Sequence, residues 1–182
     1  MINKNHQRFA NQVILITGAG GSIGSEIVMQ VCGFDPAKVV LFDFDETALH
    51  NMRQKIQRRF PLLTENVICT VGDVRDEVRV HEVFSTYSPS IVFHAAAYKH
   101  VPMMEFNPPE AVKSNIFGTY CVAKAAVKAG VQKFVMISTD KAVMPTSIMG
   151  ATKRMAENVC RAFNGTGPTE FIAVRFGNVL GS

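Results

Sequence analysis

The chain has 182 residues, which at roughly 100–200 residues per domain is one compact domain rather than a multidomain machine. Hydrophobic residues make up 47% and charged residues 19%, with no tryptophan, an ordinary globular composition that excludes the disordered and fibrous classes. Nineteen Lys and Arg against fifteen Asp and Glu give a net charge of +4, and because the basic residues are scattered, the balance disfavours nucleic acid and favours a phosphorylated small molecule as partner.

In chain order, short β-rich apolar runs alternate with stretches of helical periodicity. The expected strands are Val13–Thr17, Val39–Asp43, Val67–Val71, Ile91–His94, Lys133–Ser138 and Phe171–Phe176. The expected helices are Ser22–Cys32, Glu46–Arg59, Glu77–Thr86, Pro109–Ala129 and Met149–Phe163. Gly33 and Gly130 follow two of these helices as C-cap candidates, and Pro108-Pro109 can open a helix but not continue one. Strands as apolar as VILIT and FVMIS need helices on both faces. The pattern therefore predicts an α/β chain, a Rossmann doubly wound parallel sheet of six to seven strands in the order 3-2-1-4-5-6.

Directly after the first strand comes Thr17-Gly18-Ala19-Gly20-Gly21-Ser22-Ile23-Gly24, running into a helix. Glycines there let the backbone turn tightly and approach a pyrophosphate, whose charge is met by free N–H groups at the helix N-terminus. Asp43 closes the second strand, 19 residues beyond Gly24, where a carboxylate can accept hydrogen bonds from an adenosine ribose. A 2′-phosphate would meet a like charge, and no arginine adjoins Asp43, so NAD is favoured over NADP. Asp45 is a nearby competitor for this role. Asp73, followed by Val74 at the end of the third strand, is placed either to meet the adenine edge or to N-cap the next helix.

Three later segments are more specific: HAAAYKHVPMMEFNP (His94 to Pro108), ISTDKAVMPTSIMGATK (Ile137 to Lys153) and RFGNVLGS (Arg175 to Ser182). With the glycine spacing, they resemble the extended, nucleotide-sugar-modifying branch of the short-chain dehydrogenase/reductase superfamily, and within it the polysaccharide-biosynthesis family of nucleoside-diphosphate-sugar 4,6-dehydratases. The resemblance runs from about Val13 to the last residue. It implies a UDP-sugar substrate, typically UDP-N-acetylglucosamine, and a bound NAD or NADP that takes hydride from sugar C4 and returns it to C6 after water is lost across C5 and C6. Some members also invert C5. The resemblance further places Gly18, Gly20, Gly21, Ser22, Ile23, Gly24, Asp43, Asp73, Val74, Ala95, Ala96 and Ala97 against the cofactor, with Lys99 beside both nicotinamide and sugar.

The fifth strand ends in Ser138-Thr139-Asp140-Lys141, on the carboxyl edge where open sheets bind ligands. The family roles carried onto these positions make Thr139 the group that orients the 4-oxygen, Asp140 the acid and Lys141 the base. Burial beneath the sugar is expected to raise the pKa of Asp140 and lower that of Lys141. The superfamily's Tyr-x-x-x-Lys signature reads Met149 and Lys153 here. A thioether can neither give nor take the 4-hydroxyl proton, which leaves Asp140, Lys141 or an ordered water to receive it, while Lys153 holds the nicotinamide ribose. A subset of these dehydratases resembles this chain in carrying Met at that position.

Tyr120 and Lys124 also make a Tyr-x-x-x-Lys pattern, but before the fifth strand, where the context fails, and the pair is read as a decoy. Asn115, in the same helix, is the better candidate for a site residue that bends the helix or holds a water beside the cofactor. His100 is expected to be packed and hydrogen-bonded, and Met103, Met104 and Phe106 to serve as core or lid packing. Asn178 resembles the family position that leads toward the nucleotide-sugar.

Cys32, Cys69, Cys121 and Cys160 lack CxxC spacing and a neighbouring histidine pair, so they are read as reduced core thiols, and no metal site is expected. No apolar run approaches the roughly 18 residues of a membrane span. The polar stretch Met1 to Gln12 is unlike a signal peptide, which points to the cytoplasm. Many relatives carry an N-terminal membrane region and continue into a C-terminal region that grips uridine and diphosphate. Residues 1–182 are accordingly expected to be the NAD-binding domain of a longer protein, with an incomplete substrate pocket; a homo-oligomer is compatible with the fold, which does not fix the surface. A nucleotide-sugar 4-epimerase and a non-catalytic dinucleotide-binding domain are the alternatives. The adjacent Asp140 and Lys141 favour elimination over the first, and the retained Thr139, Asp140, Lys141 and Lys153 argue against the second.

Overall fold

In the computed structural model, which describes residues 8–179, Val13–Thr17 forms strand β1 and deals its side chains alternately to two faces. Ile14 and Ile16 pack with Val28, Leu49 and Ile56, whereas Leu15 joins Val80, Phe84, Val122 and Phe134 on the opposite side. Such a strand is stable only between two helical layers, and the sheet grows sideways from it. Strands β2 (Lys38–Asp43), β3 (Val67–Val71), β4 (Ile91–His94), β5 (Lys133–Thr139) and β6 (Glu170–Phe176) complete six strands among the described residues. All neighbours are parallel, in the order β3-β2-β1-β4-β5-β6. The order reverses between β1 and β4, which opens a crevice above their carboxyl ends.

Helices α1 (Ser22–Cys32) and α2 (Glu46–Arg59) supply Val28, Leu49 and Ile56 to one core cluster. Helix α3 (Glu77–Tyr87) supplies Val80 and Phe84 to the other. The next expected helix, Pro109–Ala129, is divided. A short helix α4 (Val101–Phe106) precedes it, too brief for its periodicity to show in the sequence. Pro108 then opens α5 (Pro108–Ala111), which passes into a π-helical turn over Val112–Gly118 before α6 (Thr119–Lys128) resumes. Gly118 is pressed against the Val74 side chain, so the wide turn sits where a neighbouring loop comes close. Gly130 ends the run at φ +69, the left-handed geometry expected of it. Helix α7 (Ile148–Phe163) follows β5.

Residues 1–7 of the polar N-terminal stretch, and 180–182 of the RFGNVLGS segment, lie outside the described residues. Among the described residues no helix is long and apolar enough to cross a membrane. All four cysteines are unpaired as thiols, and burial pushes Cys32 and Cys160 up to about 12.

One buried carboxylate fastens β5, β6 and α7 together. Glu157 accepts from the Ser138 hydroxyl at 2.5 Å and from Arg175 Nε and Nη2 at 2.9 and 2.6 Å. The Arg175 guanidinium holds the Glu157 carboxyl below its ordinary value of 4.5, with burial opposing. A carboxyl depressed in the folded state contributes stability above its unfolded pKa and loses it as pH falls through the folded one. Glu157→Gln should therefore lower stability at neutral pH by about 1–3 kcal/mol. Denaturant titrations at several pH values should show the gap between the two proteins narrowing on acidification below about pH 4.5.

Candidate active site

Two cavities lie along the carboxyl edge of the sheet, joined where both are lined by Gly21, Ala95, Ala97 and Tyr98. The first, of about 210 Å³, lies over β1, β2 and β3 and is walled by Gly18, Gly20, Asp43, Phe44, Asp73, Val74 and Ala96. The second, of about 560 Å³, lies over β1, β4 and β5; Ser22, Ile23, Gly24, Lys99, Thr139, Lys141, Met149, Lys153 and Asn178 face it. The edge thus gathers the sequence candidates into one elongated crevice.

The loop after β1 is built for close approach. Gly18 stands at φ +65, and a Cβ there would lie 2.6 Å from the Ala96 nitrogen. A Cβ on Gly20 would overlap the Ala48 side chain, and one on Gly24 the Gly18 carbonyl. At these positions only glycine leaves room for the loop itself, and the N-terminal turn of α1 carries no acidic side chain and no side-chain cap. Its N–H groups are left for an outside acceptor. Lys99 Nζ reaches the Ser22 hydroxyl at 3.0 Å, which places this cation at the start of α1 in the wall of the second cavity.

Asp43 is nearly buried and held by the Gly20 N–H at 2.8 Å and the Asp45 N–H at 3.1 Å. Asp45 is not its equivalent: its side chain accepts from the Ala48 N–H and caps α2. Asp76, not Asp73, caps α3. Asp73 instead takes the Arg75 guanidinium side-on at 2.6 to 2.9 Å, which holds its carboxyl below the usual range. Arg75 lines the first cavity, so an arginine does share a cavity with Asp43, which the sequence reading did not show; it arrives from the loop after β3, the strand paired with β2. It is committed to Asp73 and, at 3.0 Å, to Glu110.

In the second cavity, Thr139 hydrogen-bonds Asp140, and Lys141 Nζ lies 3.3 Å from Asp140 and 3.0 Å from the Asn178 side-chain oxygen. Asp140 itself is exposed, facing a shallower hollow with Lys141, Val101 and Ser147. Its pKa is lowered, not raised: the Thr139 hydroxyl and the Lys141 ammonium both stabilise the carboxylate. The expected upward shift required a covering sugar, which is not part of this chain. The lysine whose pKa burial depresses, to about 8, is Lys153. It is 6% exposed and donates to the Ile137 carbonyl at 2.7 Å. Met149 is 4% exposed and packs with Met104 and Ala111 at the cavity wall.

Asn115 does not bear on the cavities directly. It is wholly buried in the π turn; its oxygen accepts from the Tyr98 N–H at 2.8 Å, and its nitrogen donates to the Tyr98 carbonyl at 3.1 Å and the Thr152 hydroxyl at 3.0 Å. It is therefore a support for the wall, not a cofactor contact. Tyr120 packs against Phe163 with the rings tilted by 47°, and Lys124 pairs with Glu77, on a helix face that serves packing. His100 is exposed at the second cavity rather than packed, because it stands at the N-cap of α4 where the chain turns outward. Of the three apolar residues in α4, Met104 is core, but Met103 and Phe106 are exposed. Sequence reasoning missed Phe44, Arg75 and Tyr98 as cavity residues; Phe44 and Arg75 carry no local motif, whereas Tyr98 stands inside the His94 to Pro108 segment and could have been found there.

The family described as polysaccharide biosynthesis protein matches residues 14–182. The capsular polysaccharide biosynthesis protein CapD of Staphylococcus aureus is 49% identical over 177 residues, 97% of this chain and 29% of that protein. A UDP-N-acetylglucosamine 4,6-dehydratase (inverting) of Campylobacter jejuni is 36% identical over 183 residues, 96% of this chain and 51% of that protein. The X-ray structure of Pen from Bacillus thuringiensis superposes with a TM-score of 0.87 at 37% identity, covering 95% of this chain and 52% of that one. The chain thus spans about half, or less, of the length of the relatives it matches.

Asn115→Ala would leave the Tyr98 N–H and carbonyl without their side-chain partner and take one donor from the Thr152 hydroxyl, which keeps its bond to the Met149 carbonyl. Unfolding by urea should show a loss of about 3 kcal/mol or more, since each unsatisfied buried group costs about 1–3 kcal/mol. A loss below about 0.5 kcal/mol would mean that water replaces the amide and the wall does not depend on it.

Proposed function

The chain belongs to the polysaccharide biosynthesis protein family, and from that premise we propose that it forms the dinucleotide-binding and catalytic part of a UDP-N-acetylhexosamine 4,6-dehydratase that works with NAD. The observation that carries this reading is the joined pair of cavities: a glycine cradle with a ribose-height carboxylate opens directly into a space faced by Thr139, Lys141, Met149, Lys153 and Asn178. The UDP-N-acetylglucosamine 4,6-dehydratase among the relatives supports the substrate class.

The cradle fits a dinucleotide, because the positions where a Cβ would fill it are glycines. The adenosine-end cavity is lined by Asp43, Asp45 and Asp73 against one arginine that two carboxylates already occupy. A 2′-phosphate would enter an acidic rim with no free cation in that lining, which supports NAD over NADP. Lys99, Ser22 and the α1 N-terminus would meet the diphosphate, and Lys153 the nicotinamide ribose. When bound, the dinucleotide supplies the hydride acceptor for sugar C4 and the donor for C6, so none is consumed.

The chain's own residues then divide the proton work. Thr139 hydrogen-bonds the sugar 4-oxygen, whose proton leaves through an ordered water as C4 is oxidised; Asp140 protonates the departing 6-hydroxyl, and Lys141 removes the C5 proton and returns one there when C6 is reduced. For this, Asp140 must be neutral and Lys141 unprotonated, the reverse of the ion pair seen without substrate. Moving one proton from Lys141 to Asp140, across their 3.3 Å separation, produces both forms with no exchange with solvent. A sugar that expels water from the pair drives the transfer, because desolvation penalises two charges more than two neutral groups.

Proton NMR of UDP-N-acetylglucosamine with NAD in deuterated water, using the protein at its full natural length, tests the proposal. A new C6 methyl signal with deuterium at C5 is expected. A 4-epimer without that methyl would favour an epimerase, and an unchanged sugar would overturn this substrate. In the same assay Asp140→Asn should lower methyl formation by about 10² or more. Met149→Leu, a volume-conserving change, should keep the rate within about tenfold; complete loss would give the sulfur a chemical role.

A further inference from the structure

His94 is wholly buried at the end of β4, and none of the roles above employs it. Its Nδ1 lies 2.7 Å from the Thr17 hydroxyl and its Nε2 2.9 Å from the Thr119 hydroxyl. The Thr119 hydroxyl already donates its hydrogen to the Asn115 carbonyl at 2.7 Å, so toward His94 it must accept. Nε2 therefore carries the proton. Burial, with Lys153 adding to it, pushes the imidazole pKa down to about 3, so Nδ1 is bare and accepts from Thr17. The donor and acceptor logic leaves one tautomer.

The chain of bonds does not end at Thr119. Asn115, whose carbonyl receives Thr119, holds Tyr98 with its side chain and donates to Thr152, and the Thr152 hydroxyl donates to the Met149 carbonyl. Thr17 immediately precedes Gly18 and also receives the Ala96 N–H at 3.4 Å. One unbroken buried series thus joins the glycine loop to the helix carrying Met149 and Lys153.

We infer that His94, as the Nε2–H tautomer, is a positioning residue that sets the nicotinamide-end wall of the site against the glycine loop. This rests on the dinucleotide reading above. The adenosine end shares Gly18, Ala96 and Tyr98 with the series, but its far wall, Asp43, Phe44 and Ala48, takes no part in it. Disturbing His94 should therefore weaken a whole dinucleotide more than its adenosine part.

The test uses the protein with ¹⁵N-labelled histidine and the variants His94→Phe, His94→Gln and Thr119→Val, with NAD and adenosine affinities measured by calorimetry. In the unliganded wild type the His94 ring nitrogens should show the Nε2–H pattern. NAD affinity should fall about tenfold in His94→Phe and in Thr119→Val, with adenosine affinity changed by less than about twofold. The double variant should be no worse than the weaker single, because both cut one series. His94→Gln, which keeps one acceptor and one donor, should recover most of the loss. An Nδ1–H or doubly protonated ring overturns the inference, as do equal losses for NAD and adenosine, losses that add, or NAD affinity unchanged in His94→Phe. A wild type that binds adenosine but no nicotinamide dinucleotide overturns the dinucleotide reading itself, and the inference with it, whereas the failures named before leave that reading standing.

Discussion

The arrangement of this site depends on one buried side-chain amide. Asn115 lies in a helix that would run straight if it were regular, and the π turn there inserts the extra residue that points the amide at the β4 loop. Pinning Tyr98 by both its N–H and its carbonyl fixes a segment that has no ladder of its own, since the strand has ended at His94. That segment is the partition shared by both cavities. The same amide reaches Thr152 and so fixes α7 relative to the partition. A wide turn costs helix regularity, and here three satisfied buried groups offset it.

Electrostatics divides the crevice at that partition. The side over β1, β2 and β3 is lined by Asp43, Asp45 and Asp73, a rim that suits hydroxyl donors and disfavours anions. The other side presents Lys99, Lys141 and Lys153 at different depths. Depth separates them: Lys99 is exposed and bonded to Ser22, Lys141 is half-exposed and paired with Asp140, and Lys153, enclosed and tied to the Ile137 carbonyl, has its pKa depressed by burial.

Much of the fold was legible because two periodicities rarely conflict in this chain. Alternation in β1 announced both cores, and the glycine run with Asp43 announced the cradle. What stayed hidden required distance in sequence to become distance in space. Arg75 reaches the Asp43 cavity only because β3 lies beyond β2 in the sheet, and no residue near Asp43 hints at it. Asp73 looked equally suited to two tasks; Asp76 takes the cap, and Asp73, paired with Arg75, stays in the wall of the first cavity. Asp140 is a different case: without a sugar over it, the Thr139 hydroxyl and the Lys141 ammonium hold its carboxyl below the ordinary value, and the sequence shows those neighbours but not what covers them. The readings of His100 and Phe106 failed, since hydrophobicity and aromaticity say nothing about where a six-residue helix turns outward.

The loss of tyrosine at position 149 becomes intelligible along the face of α7. Met149, Lys153 and Glu157 are spaced four apart and form one buried stripe. Each meets a different demand: Met149 fills the wall beside Met104, Lys153 binds the Ile137 carbonyl, and Glu157 binds the Ser138 hydroxyl and Arg175. Two of the three therefore clamp consecutive residues at the end of β5, and the third seals the gap above them. The residue after the clamped pair is Thr139, whose neighbours Asp140 and Lys141 turn away in a short 3₁₀ segment. A hydroxyl at position 149 would add a polar group on the helix beside Lys153; with methionine there, Asp140 and Lys141 on the turn after β5 stand apart from it. The helix contributes packing and charge, and the stripe holds it in register with the end of β5.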